Sequence, residues 1–183
     1  MGQIAELTLP AANRVRDNAV ALCHGVDPKV AAHRPTFEHD GKPVTIETNH
    51  PVFILGHLAI YPPMMLTLLG RDASRVQVPE SYTTLFGRGV KSHDARHMPE
   101  GLAYPSFDEV RDAFIAGHDA VVAAIPTIDD ALLLSNTPKD SRYAERFPKL
   151  GQVFQFFMLT HPMLHLGQFS TWRRCMGLGP SVP

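Results

Sequence analysis

The chain of 183 residues has only two cysteines, Cys23 and Cys175, too few for a disulfide framework. Both fall in helical patterns, where a thiol packs as a small apolar group. Neither sign of charge is in excess: 17 basic residues face 18 acidic ones, for a net charge of −1. No basic patch stands out, so the electrostatic footprint of a nucleic-acid binder is missing. The first residues lack a basic stretch and a long apolar run, so no signal peptide is expected. Apolar stretches elsewhere are interrupted by Gly, Pro or His and read as too short to span a membrane. A cytoplasmic protein is the expectation, with a small-molecule partner and neither nucleic acid nor membrane. There is no Ser-His-Asp arrangement, dinucleotide fingerprint or Cys-x-x-Cys, and Gly87-Arg88-Gly89 is too short to cradle a phosphate. Apolar residues make up 44% and charged residues 19%, the balance of an ordinary globular chain. Length predicts one domain over residues 1–183 with a sizeable core.

Strand signals are few and helical ones many. Val15, Ala19, Leu22 and Val26 share one helical face. They predict a helix from about Thr8 to His24, with Pro10 in its first turn and Gly25 as its stop. Residues 27–48 read as loop, with Asp27-Pro28, Arg34-Pro35 and Asp40-Gly41 as turn signals. A second helix starts at Asn49 or His50; Pro62-Pro63 should kink or break it, and Gly70 ends it. Residues 71–105 form a long connection with a short helix around Pro79–Phe86. Ser106-x-x-Glu109 is a capping box that starts a third helix, and Pro126 ends it. Asp129–Leu134 forms a turn or short helix. The fourth long helix runs from about Pro148 to Met176, with Phe156, Phe157, Leu164 and Phe169 as core candidates. The fold class is all-α, a four-helix bundle with a long crossover between helices 2 and 3.

Histidine is plentiful, with ten residues. Chance spacing gives about 0.5 pairs four residues apart; two occur, His161/His165 and His93/His97. Residues at i and i+4 lie on one helix face with about 6 Å between Cβ atoms, so two imidazoles there can reach one ion. His161/His165 lies in an apolar helix, whereas His93/His97 lies in a polar stretch and reads as solvated loop, with a lid as its rival. His57, in a second apolar helix, supplies a third imidazole. Three such ligands leave positions open for water or substrate, as catalytic rather than structural sites do. Pro162 cannot donate to the Met158 carbonyl, so the helix should bend there; the bend either aims His161 inward or spoils the pair. His50, about two turns before His57, reads as a cap, with a role beside the site as the alternative. His118 reads as a partly exposed helix residue. Tyr61, Gln168 and Arg173 are candidates to touch substrate, and with His50 the first two outline a possible pocket. Gly167 would let a neighbouring helix approach.

The stretch His161-x-x-x-His165-x-Gly167-Gln168, with Trp172-Arg-Arg-Cys-Met-Gly177 after it, resembles the C-terminal signature of the DinB-like superfamily, which includes the YfiT-like metalloenzymes. Asn49-His50-Pro51 and Leu55-Gly56-His57-Leu58-Ala59 resemble that family's second-helix motif. Leu85-Phe86-Gly87-Arg88-Gly89 and Tyr104-Pro105-Ser106-Phe107 resemble its central segment. The resemblance runs from about residue 45 to the end. It implies the helical bundle with its crossover, a homodimer, and His57, His161 and His165 as ligands of a divalent metal. Zinc and nickel lead among the ions, although imidazole suits iron and copper as well.

Two functions compete. The first is a metal-dependent enzyme: a bound water would give hydrolysis, and a bound thiol would give transfer to an electrophile. The resemblance favours the second, with a low-molecular-weight thiol as co-substrate, since relatives include thiol transferases and a mycothiol-dependent isomerase. The second function is a non-catalytic small-molecule-binding or stress-response bundle, motivated by the lack of an identifiable general base beside the histidines. No catalytic residue can be named from the sequence.

Overall fold

The computed structural model describes residues 2–181. Helix α1 spans Gln3–Cys23, five residues earlier than its apolar periodicity predicts, and Pro10 lies inside it rather than in its first turn. The early start comes from a distant cap. The Asp130 carboxylate accepts from the backbone N–H groups of Gln3 and Ile4, both at 2.9 Å, and satisfies two donors that the first turn cannot. Residues 36–45 are not loop: β1 (Thr36–His39) pairs antiparallel with β2 (Lys42–Thr45) in an exposed hairpin. Asp40 and Gly41 take φ of 51° and 70° at its tip, the positive values that a two-residue hairpin turn requires.

Helix α2 (Pro51–Ala59) and α3 (Tyr61–Leu68) are separated at Ile60, the break expected from Pro62-Pro63. Together Pro51–Leu68 reach the length and apolarity of a membrane span, against the sequence expectation, but 78% of this stretch is buried inside the protein. The long connection carries α4 (Ser81–Phe86) and two single 3-10 turns. Helix α5 (Phe107–Ala124) starts at the predicted capping box, with Ser106 and Glu109 each bonding the other's backbone. Helix α6 (Asp130–Leu134) follows. The predicted fourth helix is three segments: α7 (Leu150–Gln155), a π turn (Phe156–Thr160) and α8 (His161–Cys175).

The described residues are mostly helical. Helix α2 packs against α5 and α8, and α1 packs against the same two. One apolar cluster, with Leu55, Phe114, Phe169 and Trp172, fills the space between them. A second, with Met65, Val121, Phe154 and Met158, lies under α3, α5 and α7. Leu164, a core candidate by sequence, is 61% exposed. Gly167 serves no close approach, because a Cβ there would meet nothing within 4 Å. A helix contact that does need a glycine is at Gly56, where a Cβ would sit 2.5 Å from the Phe86 ring.

Candidate metal centre

That contact sets the first histidine. With Gly56 flush against α4, the Phe86 carbonyl lies 2.5 Å from His57 Nδ1. A carbonyl only accepts, so Nδ1 carries the proton and Nε2 keeps its lone pair. His165 is fixed the same way. Its Nδ1 lies 3.1 Å from Gln168 Oε1, which also accepts from Asn49 Nδ2 at 2.9 Å. With Gln168 Oε1 turned toward both, His165 Nδ1 is the donor and its Nε2 keeps the lone pair.

Pro162 positions His161. Lacking an N–H, it leaves the preceding turn open, and the chain widens there into a π turn in which the His161 N–H bonds the Phe156 carbonyl. The bend turns the imidazole inward. His161 Nε2 lies 3.2 Å from His57 Nε2 and 3.1 Å from His165 Nε2. The three ligand atoms all lie within 4.8 Å of one another.

This donor set fits a divalent ion. Tetrahedral nitrogens at about 2.0–2.1 Å from zinc are about 3.3 Å apart, close to the two shortest spacings here. Protons alone satisfy the cluster poorly. With Nδ1 protonated on His57 and His165, two Nε2 lone pairs face His161. His161 donates from Nε2 to one of them, the Tyr61 hydroxyl can donate to the other at His57, and the buried His161 Nδ1 has no partner in either tautomer. A second proton is opposed: burial, then the neighbouring imidazoles, pull His161 down to about 3 and His165 to about 4. Burial also lowers His57.

The histidines form the floor of a cavity of about 690 Å³. Tyr61 stands beside them with its hydroxyl 3.3 Å from His57 Nε2 and its ring stacked on Phe157. Burial pushes this phenol up to about 12, so it keeps its proton. Phe53, Phe156 and Phe157 make the walls, and Arg88, Arg142, Glu145 and Arg146 stand at the exposed mouth.

Other sequence candidates lie elsewhere. His50 does not line this cavity. It is fully buried and caps α2, accepting from the Phe53 N–H through Nδ1 and donating to the His93 carbonyl through Nε2. Gln168 acts behind His165 rather than on the cavity wall. Arg173 is buried and donates to the Leu22 and His24 carbonyls at 2.7 Å, closing the C-terminus of α1. His118 is buried, not partly exposed, and bonds the Ala12 carbonyl. His93 and His97 do not line the cavity, so no lid is formed by them. Asn49, Phe86 and Arg88 stand in motifs noted in the sequence but without a role at the site, and Arg142 and Arg146 stand in none. Asn49 stands beside His50 in a motif already noticed; the Phe86 role is a backbone carbonyl, which no side-chain pattern reveals.

Fold and cluster thus define a mostly helical protein with a three-histidine group able to hold a metal ion. A family model described as the DinB superfamily matches residues 11–169, and the chain belongs to that superfamily. No curated protein matches the chain.

Proposed function

We propose that this protein is a divalent-metal-dependent enzyme in which His57, His161 and His165 hold zinc or nickel and a small-molecule thiol is transferred to an electrophile. The observation that supports it most is the convergence of three neutral Nε2 atoms at the floor of an aromatic cavity. When bound, such an ion lowers the pKa of a water or thiol placed on it. The protein's own residues favour the thiol. Among the described residues the only acidic side chain lining the cavity is Glu145, exposed at the mouth. A thiol coordinating such an ion is deprotonated outright, whereas the pKa of a bound water falls only to about 7, so hydrolysis gains from a base where thiol attack needs none. The thiolate sulfur bonds the electrophilic carbon, and the leaving group departs with its electron pair. Tyr61, held protonated, donates a hydrogen bond to the negative charge that develops. Phe53, Phe156 and Phe157 exclude water from the reacting end.

The same absence of a base favours a second reading, a bundle that binds a small molecule without turning it over. Elemental mass spectrometry beside a His57→Ala/His165→Ala variant tests the metal. About one equivalent per chain, lost in the variant, is expected from a three-imidazole site. Thiol-dependent loss of a test electrophile then separates transfer from binding; tight binding without turnover supports the second reading.

We further propose that α1, α2, α5 and α8 form one four-helix-bundle domain, with residues 71–105 as its crossover. The protein is proposed to be cytoplasmic and a homodimer. Exposed apolar side chains on α1 (Leu7, Val20) and α8 (Met163, Leu164) are available to a partner, and a monomer mass by light scattering would exclude the dimer.

A further inference from the structure

Arg88, Arg142 and Arg146 stand around the mouth of the histidine cavity, on two separate segments of chain. Elsewhere Arg16, Arg34, Arg96 and Arg111 each pair with a carboxylate, but among the described residues none of the three mouth arginines forms an ion pair. Aromatic rings hold two of them instead. The Arg142 guanidinium lies 4.9 Å from the Tyr143 ring centre; that of Arg146 lies 5.1 Å from Phe147 and 5.0 Å from Phe156. Arg142 also donates from Nη2 to the Tyr143 hydroxyl at 2.6 Å; these contacts place the two guanidiniums and leave their remaining N–H groups to meet an oxyanion. Glu145 is the one opposing charge, so the mouth keeps a net charge of +2 from its three arginines. Below it the walls are phenylalanine and tyrosine down to the histidines. The cavity volume of about 690 Å³ suits one small molecule.

We infer that the cavity selects a small organic oxyanion with an apolar or aromatic body, its anionic group held by Arg88, Arg142 and Arg146 and its other end at the three histidines. Only the reacting end of this inference rests on the metal-centre reading; the charge selection stands on the mouth itself. The guanidinium fork fits carboxylate and phosphate alike. Because the arginines are exposed, their hold on the anion weakens with added salt.

Calorimetry on the full-length zinc-loaded protein tests this with phenylacetate, phenyl phosphate and the neutral phenylacetamide. At least one anion should bind about tenfold tighter than the amide, the factor one charge-assisted hydrogen bond supplies. An Arg88→Gln/Arg142→Gln/Arg146→Gln variant should lose that preference with its metal content unchanged. The His57→Ala/His165→Ala variant should keep it, which distinguishes arginine capture from direct binding of the anion to an ion. Tighter phenylacetate assigns a carboxylate, and tighter phenyl phosphate a phosphate. The inference is overturned by equal binding of acid and amide, by a preference that survives the arginine substitutions or vanishes with the histidines, or by no anion binding at millimolar concentration. A wild-type protein that takes up no metal yet keeps the preference removes the metal reading alone.

Discussion

Two groups of buried or half-buried histidines differ in what their ring nitrogens meet. His50 bonds backbone with both, an N–H of its own helix and a carbonyl of the long connection. His118 likewise gives Nε2 to a backbone carbonyl of α1. His57 and His165 bond a backbone carbonyl and a side-chain amide through Nδ1, while their Nε2 atoms face His161, with the Tyr61 hydroxyl also beside His57. Burial alone therefore does not mark a functional imidazole, since the fully buried His50 is a cap. The mark is a set of imidazole nitrogens that face one another instead of the backbone, in a cluster that burial keeps neutral.

The largest effect expected from that difference is on metal content. His165→Ala should abolish retention after dialysis, whereas His118→Gln should leave it intact. Loss of metal in both would mean that the effect is on folding and would dissolve the distinction. Gly56→Ala comes next. Its new methyl must displace the Phe86 ring, and overpacking of this kind costs about 1–3 kcal/mol. The carbonyl that orients His57 moves with Phe86, so metal affinity should also fall by about 10–100-fold, as when a ligand's outer partner is lost. An unfolding curve and a competitive chelator titration read the two effects separately. Gln168→Leu should lower metal affinity by about 10–100-fold as well, without the packing cost. Gln168→Glu restores the acceptor for His165 and should recover most of the affinity. Equal affinity in wild type and Gln168→Leu would show that His165 needs no such partner.

His50 provides the pH test. Burial holds it at about 4 against an ordinary 6.5. As pH falls below 6.5 the unfolded chain takes up a proton there that the folded chain refuses until about pH 4. The stability associated with neutral His50 is complete above 6.5 and declines across that window. Protonation of Nδ1 also ends its role as acceptor for the Phe53 N–H. His50→Asn keeps a capping acceptor without a titrating group. Thermal melts from neutral to acid pH should fall less steeply for it than for wild type. Parallel slopes would place the acid sensitivity elsewhere.

Much of this was legible in the residues, and the parts that were not share a cause. The capping box at Ser106, the break at Pro62-Pro63 and the three histidines each rest on local pattern, and each stands where the pattern put it. The early start of α1 depends on Asp130, more than a hundred residues away, which no local window contains. The hairpin at 36–45 was masked by the exposure of both strands: with no buried face there is no alternation to read, and Asp40-Gly41 was its one sign. Pro162 was legible as a disturbance but not in direction. The direction follows from the π turn, which uses the missing N–H to swing His161 toward α2. The mouth arginines lie in irregular chain, where no period distinguishes them from solvated charge.

The smallest effect belongs to the second histidine pair. His93 and His97 have the same spacing as His161 and His165, but His93 lies before a 3-10 turn (Ala95–His97) and His97 ends it, so they share no helical face. Spacing of four brings side chains together only on an α-helix. His97 is exposed, and His93 contributes backbone rather than imidazole, its carbonyl to His50 and its N–H to the Tyr104 hydroxyl. His93→Ala/His97→Ala should keep both backbone bonds, leave metal content unchanged and shift stability by no more than about 0.5 kcal/mol. A loss of metal in this variant would show that the polar connection folds over the cavity in solution and would reinstate the lid. Unchanged metal, beside its loss in His165→Ala, would establish that helical context and not histidine spacing makes the site.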